Sequence, residues 1–98
     1  MMYVKIHKYE HTEITAVCEK DLLGKRIQQG DAELAITESF YKGELKSKQE
    51  VIEILKKASN ANLVGEEAVA CGIAAKIITE DAAIMIGGIP HAQFYALE

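Results

Sequence analysis

Apolar residues recur with a period of two near both ends of this chain and with a helical period in its middle. A fold built on it must therefore combine half-buried strands with amphipathic helices. From Tyr3 to Tyr9, Val4 and Ile6 fall on one face and Tyr3, Lys5, His7 and Tyr9 on the other. After the polar turn Glu10–Glu13, Ile14, Ala16 and Cys18 alternate with Thr15 and Val17, so the two runs read as an N-terminal hairpin.

Ser47-Lys48-Gln49-Glu50 has the spacing of a capping box, in which the hydroxyl accepts an N–H and the glutamate reaches back to the cap. Val51, Ile54, Leu55 and Ala58 follow on one helical face, widened by Ile52, while Glu53 and Lys57 form an i,i+4 pair on the polar side. Asn60 and Asn62 break this run. A second helix is expected from Gly65, with Glu66 and Glu67 at its dipole-positive end and Val69, Ile73 and Ile77 along it. Its Ala68, Cys71, Gly72, Ala74 and Ala75 make a narrow face that another element can approach closely.

Between these segments the chain is punctuated by turn residues. Asp21-Leu22-Leu23-Gly24 reads as a capped helical turn stopped by glycine, and Gly30-Asp31 as a turn before a strand carrying Leu34 and Ile36. Ser39 to Glu44 reads as a loop holding two adjacent aromatics, Phe40 and Tyr41, which an extended backbone sends to opposite sides. Ala83–Ile86 is a short apolar strand, Gly87-Gly88 is a dipeptide that closes hairpins, and His91 to Leu97 alternates again. Pro90 cannot donate to a ladder, which points to an edge strand or a wide loop.

The expected fold is α+β: a mostly antiparallel sheet of about five strands, with two main helices packed on one face, in a single domain over residues 1–98. Both terminal segments read as strands and are expected side by side, Tyr3, Val4 and Ile6 meeting Phe94 and Leu97. Hydrophobic residues make up 49% of the chain and charged ones 27%, which excludes the disordered class. A net charge of −4 disfavours blanket nucleic-acid binding, leaving Lys20, Lys25 and Arg26, and Lys42, Lys46 and Lys48, as local basic clusters on a mixed-charge surface. Cys18 and Cys71 lack the paired spacing of a zinc site and read as buried free thiols, which suits a cytoplasmic location. Charges interrupt the apolar residues of Met1–Lys8, and no apolar run approaches the ~20 residues that span a bilayer, so no membrane association is expected.

Four stretches carry a family resemblance: Cys18 through Leu23-Gly24-Lys25, Glu38-Ser39-Phe40-Tyr41 with Gly43-Glu44, Ala61-Asn62-Leu63-Val64-Gly65-Glu66, and Gly87-Gly88-Ile89-Pro90-His91-Ala92-Gln93. In these the chain resembles, over nearly its entire length, a family of small archaeal proteins known as domain-of-unknown-function family 424. The resemblance implies an intracellular, single-domain protein of archaeal type. It brings no activity, cofactor or catalytic residue with it.

The most distinctive chemistry lies in the last of those stretches. Pro90 fixes the backbone before His91, and Gly87 and Gly88 let a ligand approach the main chain, so an anion there would meet backbone amides beside an imidazole. His91 is the one catalytic candidate, as a general acid or base on an anionic substrate, but the chain offers no oriented partner for it. No P-loop, G-x-S-x-G elbow or H-E-x-x-H spacing is present. His7 and His11 flank a turn without a carboxylate set, so neither a metal site nor a cofactor is expected. The leading expectation is a non-enzymatic interaction module using Phe40, Tyr41, Lys42, Asn62, Gly87, Gly88, Pro90, His91 and Gln93 as one surface toward RNA, a ribonucleoprotein or a protein partner. A homodimer through an exposed sheet edge, or through the small-residue helix face, is a further expectation.

Overall fold

The computed structural model describes residues 1–96. In chain order it contains β1 (Met2–Lys8), β2 (Glu13–Glu19), β3 (Arg26–Gln29), β4 (Ala32–Ala35), α1 (Glu38–Tyr41), β5 (Glu44–Lys46), α2 (Lys48–Lys56), β6 (Asn60–Val64), α3 (Glu66–Ala74), β7 (Ile84–Ile86) and β8 (Ile89–Tyr95). Six strands form one sheet in the order β5-β1-β2-β6-β8-β7, and β3 pairs with β4 in a separate hairpin. The large sheet is mostly antiparallel, with β2 and β6 running parallel at its centre.

Alternation along each strand divides the sheet into two faces. On one, Val4, Val17, Leu63 and Ala92 pack against Val51 and Leu55 of α2 and Ala68, Val69 and Cys71 of α3. A Cβ at Gly72 would meet Leu63 and Ile78, so the small-residue face of α3 lets this helix approach β6 closely. The second face carries Ala16, Cys18 and Val64, covered by Leu34 and Ile36 around β4 and by Tyr41 of α1. Both cysteines are buried free thiols, and burial pushes the Cys18 thiol up to about 11. No helix among the described residues is long and apolar enough to cross a membrane.

The α+β class, the N-terminal hairpin and both main helices follow the sequence reading, but α2 stops at Lys56, before Ala58, and α3 at Ala74, before Ile77, since Lys76 turns left-handed at φ 64°. The Ser47–Glu50 capping box is formed in both directions, Glu50 N–H donating to Ser47 Oγ at 3.2 Å and Ser47 N–H to Glu50 Oε1 at 2.9 Å. Glu53 pairs with Lys56 and not with Lys57, because the helix ends at Lys56 and Lys57 is its C-cap.

The main departure is β6. Asn60 and Asn62, read as a break after α2, stand in a strand at the centre of the sheet, where the partners on either side supply the hydrogen bonds that asparagine's weak strand propensity does not favour locally. With β2 and β6 between them, β1 and β8 are not neighbours, so Tyr3, Val4 and Ile6 do not meet Phe94; Leu97 lies outside the described residues. Ser39–Glu44 is not a simple loop: Thr37 caps α1, whose single turn carries Phe40 and Tyr41, and β5 follows at once. Lys20–Leu22 is a 3₁₀ turn with Asp21 inside it, and Asp21 is not the cap.

Pro90 sits in an interior strand after a tight two-residue turn, not on an edge or in a wide loop. Gly87 and Gly88, at φ 56° and 81°, take the left-handed values that such a turn requires, and Ile86 faces Ile89 across it. On the β6 side, Pro90 C=O accepts from Gly65 N–H at 2.9 Å. The reciprocal bond, which proline cannot donate, would have gone to Gly65 C=O. That carbonyl instead accepts from Val69 N–H at 3.0 Å and starts α3. Proline is tolerated because strand pairing stops where the helix begins.

Candidate functional site

Cross-strand pairing places Lys5, Ala16, Asn62 and Gln93 in one row on the second face of the sheet, and Tyr3, Cys18, Val64, His91 and Ile84 in the next. α1 lies over β1 and β2, and the β3–β4 hairpin lies against β7. The strip left between them over β6 and β8 holds Asn62, His91, Gln93 and Tyr95, with Gln93 and Tyr95 exposed.

Gln93 Nε2 donates to Asn62 Oδ1 at 2.9 Å across the β6–β8 pair. The bond uses a Gln93 donor and the Asn62 acceptor, and leaves Asn62 Nδ2 and Gln93 Oε1 without a side-chain partner among the described residues. His91 stands two residues before Gln93 on the same face, half-buried, and burial lowers its pKa from the usual 6.5 and favours the neutral imidazole. Among the described residues no side chain hydrogen-bonds to it.

Phe40 marks one border of the strip. Its ring stacks on His7 with centroids 4.6 Å apart, and Phe40 C=O lies 2.8 Å from His7 Nε2. Lys5 Nζ donates to Ser39 C=O at 2.9 Å, so two residues of β1 tie α1 down. Phe40 meets the ring of Tyr41 edge-on, and Tyr41 is buried, its hydroxyl pushed up to about 12 chiefly by that burial. Adjacent aromatics thus serve different ends because a helical turn, unlike a strand, sets them about 100° apart. Lys42 is exposed just beyond, at the C-cap of α1.

The glycine turn lies elsewhere. Gly87 N–H donates to Gln29 Oε1 at 2.6 Å, and a Cβ on Gly87 would overlap Ile27, so β3 closes over this turn. Gly88 and Pro90 line a separate small cavity of about 180 Å³ together with Glu19, Leu22, Gly65 and Glu66. In that cavity wall Glu19 Oε2 accepts from Glu67 N–H at 2.8 Å, so a carboxylate of this chain already occupies the N-terminus of α3. Of the nine residues read as one surface, the fold gathers Asn62, His91 and Gln93 on the strip, sets Phe40 and Lys42 toward the β1 side, buries Tyr41, and takes Gly87, Gly88 and Pro90 to the turn.

Three contributors lacked a readable signal in the sequence. Glu19 caps a helix 48 positions away, His7 holds a segment 33 positions away, and Tyr95 is 65% exposed at the end of the strip. The parity of the first strand does place His7 with Tyr3 and Lys5, but nothing local names Phe40 as the partner. The His/Cys/Asp/Glu residues among those described form no group of three that could hold a metal ion.

A comparison with curated proteins gives no match. Among solved structures, the crystal structure of an uncharacterized conserved protein from Methanopyrus kandleri is similar, with a TM-score of 0.86 and 27% identity over 99% of this chain and 94% of that one. The α+β arrangement described above is therefore shared with a natural protein at low identity. The family model described as Protein of unknown function (DUF424) matches residues 7–97, and the chain belongs to that family.

Proposed function

We propose that the protein is a non-enzymatic binding module that docks a protein partner on the open strip of the sheet. The observation that carries this reading is the Asn62–Gln93 pair, which holds a donor and an acceptor in fixed register on an otherwise uncharged strip. A partner's peptide group, or a side-chain amide, satisfies both at once. Tyr95 and Ile84, each 65% exposed, supply apolar contact on either side.

Charge favours a protein over RNA as the partner. Sequence-independent nucleic-acid affinity rests on phosphate contacts by Lys and Arg. Here the net charge is −4, the strip itself has no cation, and Lys5 at its border is tied to Ser39. Catalysis at His91 has less support, since a general base needs an orienting group.

Affinity isolation from native lysate with the intact protein tests the reading, run with and without ribonuclease and against an Asn62→Ala/Gln93→Ala variant. A partner retained through nuclease treatment and lost with the variant is expected. Partner sets identical for wild type and variant overturn the strip as the docking surface, and loss on nuclease treatment overturns the protein class in favour of RNA.

A further inference from the structure

The two edges of the six-stranded sheet differ in chemistry. At one, β5 is three residues long, and Glu44 and Lys46 form an ion pair at 3.1 Å on either side of Leu45. Charge on a short edge strand deters pairing with another sheet. The other edge, β7, is equally short and has the β3–β4 hairpin against it, but it carries no charge: every residue from Ala82 to Pro90 lacks a charged or polar side chain, in a chain of which 27% is charged. Ile84 and Met85 on this edge are 65% and 52% exposed.

Its backbone is open as well. The two-residue turn makes Ile86–Ile89 a hydrogen-bonded pair, so Ile84–His91 is the next one and the intervening Met85–Pro90 pair is not bonded. The Met85 N–H and C=O therefore point out of the sheet. Pro90 fits this position for the same reason, since no bond toward β7 is asked of it.

We propose that this edge joins two copies of the chain, β7 of one pairing antiparallel with β7 of the other about a two-fold axis at Met85. The outward N–H and C=O of one Met85 then meet the C=O and N–H of the other, which makes the contact self-complementary. Ile84 of each copy faces Ile86 of the other, and the two sheets become one of twelve strands. A three-residue pairing alone falls short of the roughly 1,200 Å² that stable interfaces bury. In this register, however, the Gly87-Gly88 turn of each copy lies opposite Ala82 of the other. Ala82, Ile77, Phe94 and Tyr95, together with Lys76 and Glu80, line an open groove of about 810 Å³ at this edge, so the contact extends past the paired strands into a recess of mixed character. Ile84 and Tyr95 border both this edge and the open strip, so the test below reads self-association of the chain alone, with no partner on the strip.

Sedimentation equilibrium or light scattering on the intact chain, from micromolar to near-millimolar concentration, reads the outcome directly. Wild type is expected at twice the chain mass. Met85→Pro removes the outward N–H without removing a bond to β8, and Ile84→Lys puts charge on the edge at an exposed site. Each should give the single-chain mass with an unchanged circular dichroism spectrum, while Leu45→Lys on the β5 edge stays dimeric. Wild type at single-chain mass throughout, a dimer that survives Ile84→Lys, or a dimer lost equally with Leu45→Lys each overturns the proposal. Should Met85→Pro fail to fold, Ile84→Lys decides.

Discussion

Replacing Gly65 by alanine tests how β6 is joined to α3. Gly65 has φ 106° and ψ 158°, a region essentially reserved for glycine, where a residue with a Cβ carries about 1–3 kcal/mol of backbone strain. A Cβ there would also overlap the Glu19 carboxylate. Glu19 is a side chain and can swing aside, but doing so breaks its 2.8 Å bond from Glu67 N–H. A charge-assisted bond at a partly exposed helix start contributes about 1–2 kcal/mol. The two effects sum to about 2–5 kcal/mol, which for a domain of this size lowers Tm by roughly 8–40 °C. Thermal and urea unfolding followed by circular dichroism measure the loss. A double-mutant cycle separates its parts: once Glu19→Ala has removed the cap, Gly65→Ala should cost only the strain, so the double variant falls short of the sum of singles by about 1–2 kcal/mol. Strictly additive losses, or a single-variant Tm drop below about 4 °C, would refute the reasoning.

Three further outcomes follow from the same geometry. Burial favours neutral His91 in the folded state, so below about pH 6.5 the unfolded chain takes up this proton first and stability falls; in His91→Gln the decline in urea midpoint between pH 7.5 and 5 should be shallower, and an equal decline removes the link. Glu50 is held below its ordinary 4.5, first by the Ser47 backbone N–H, so its contribution is complete above that pH and is lost as the pH falls below it, and Glu50→Gln should lessen the loss of stability on acidification over that range; Ser47→Ala should cost about 1 kcal/mol at neutral pH. Cys18 and Cys71 are buried, and burial raises both thiols, so a thiol reagent at pH 8 should modify neither in the native protein and both after unfolding; rapid native labelling would contradict the packing.

The elements that were legible are those whose signals are local. The capping box at Ser47, the apolar stripe from Val51 to Leu55 and the alternation of Val4 and Ile6 each arise within one or two turns or a few residues of chain, and each lies in the element that its pattern indicates. β6 was illegible for the converse reason. Asn60 and Asn62 carry the polar half of its alternation, and their residue type favours turns unless strands on both sides complete the ladder. Pro90 misled in the same way, because its missing donor matters only if a neighbour waits for it, and α3 removes that neighbour.

The candidate site divides along this line too. Asn62, His91 and Gln93 were singled out as residues, yet the reason they belong together is strand register, which aligns Asn62 with Gln93 across 31 positions of sequence. Gly87 and Gly88 were grouped with them by proximity along the chain, and folding took the turn away under β3. The N-terminal hairpin, the two main helices, the Ser47 cap, the buried thiols and the α+β class are legible along the chain, because propensity, periodicity and capping act over a few residues. The strand order, the use of Glu19 to cap α3, the tethering of α1 by His7 and the open strip emerge on folding alone. Each of these is a contact between groups distant in sequence, and its free energy exists only after the chain has brought them together.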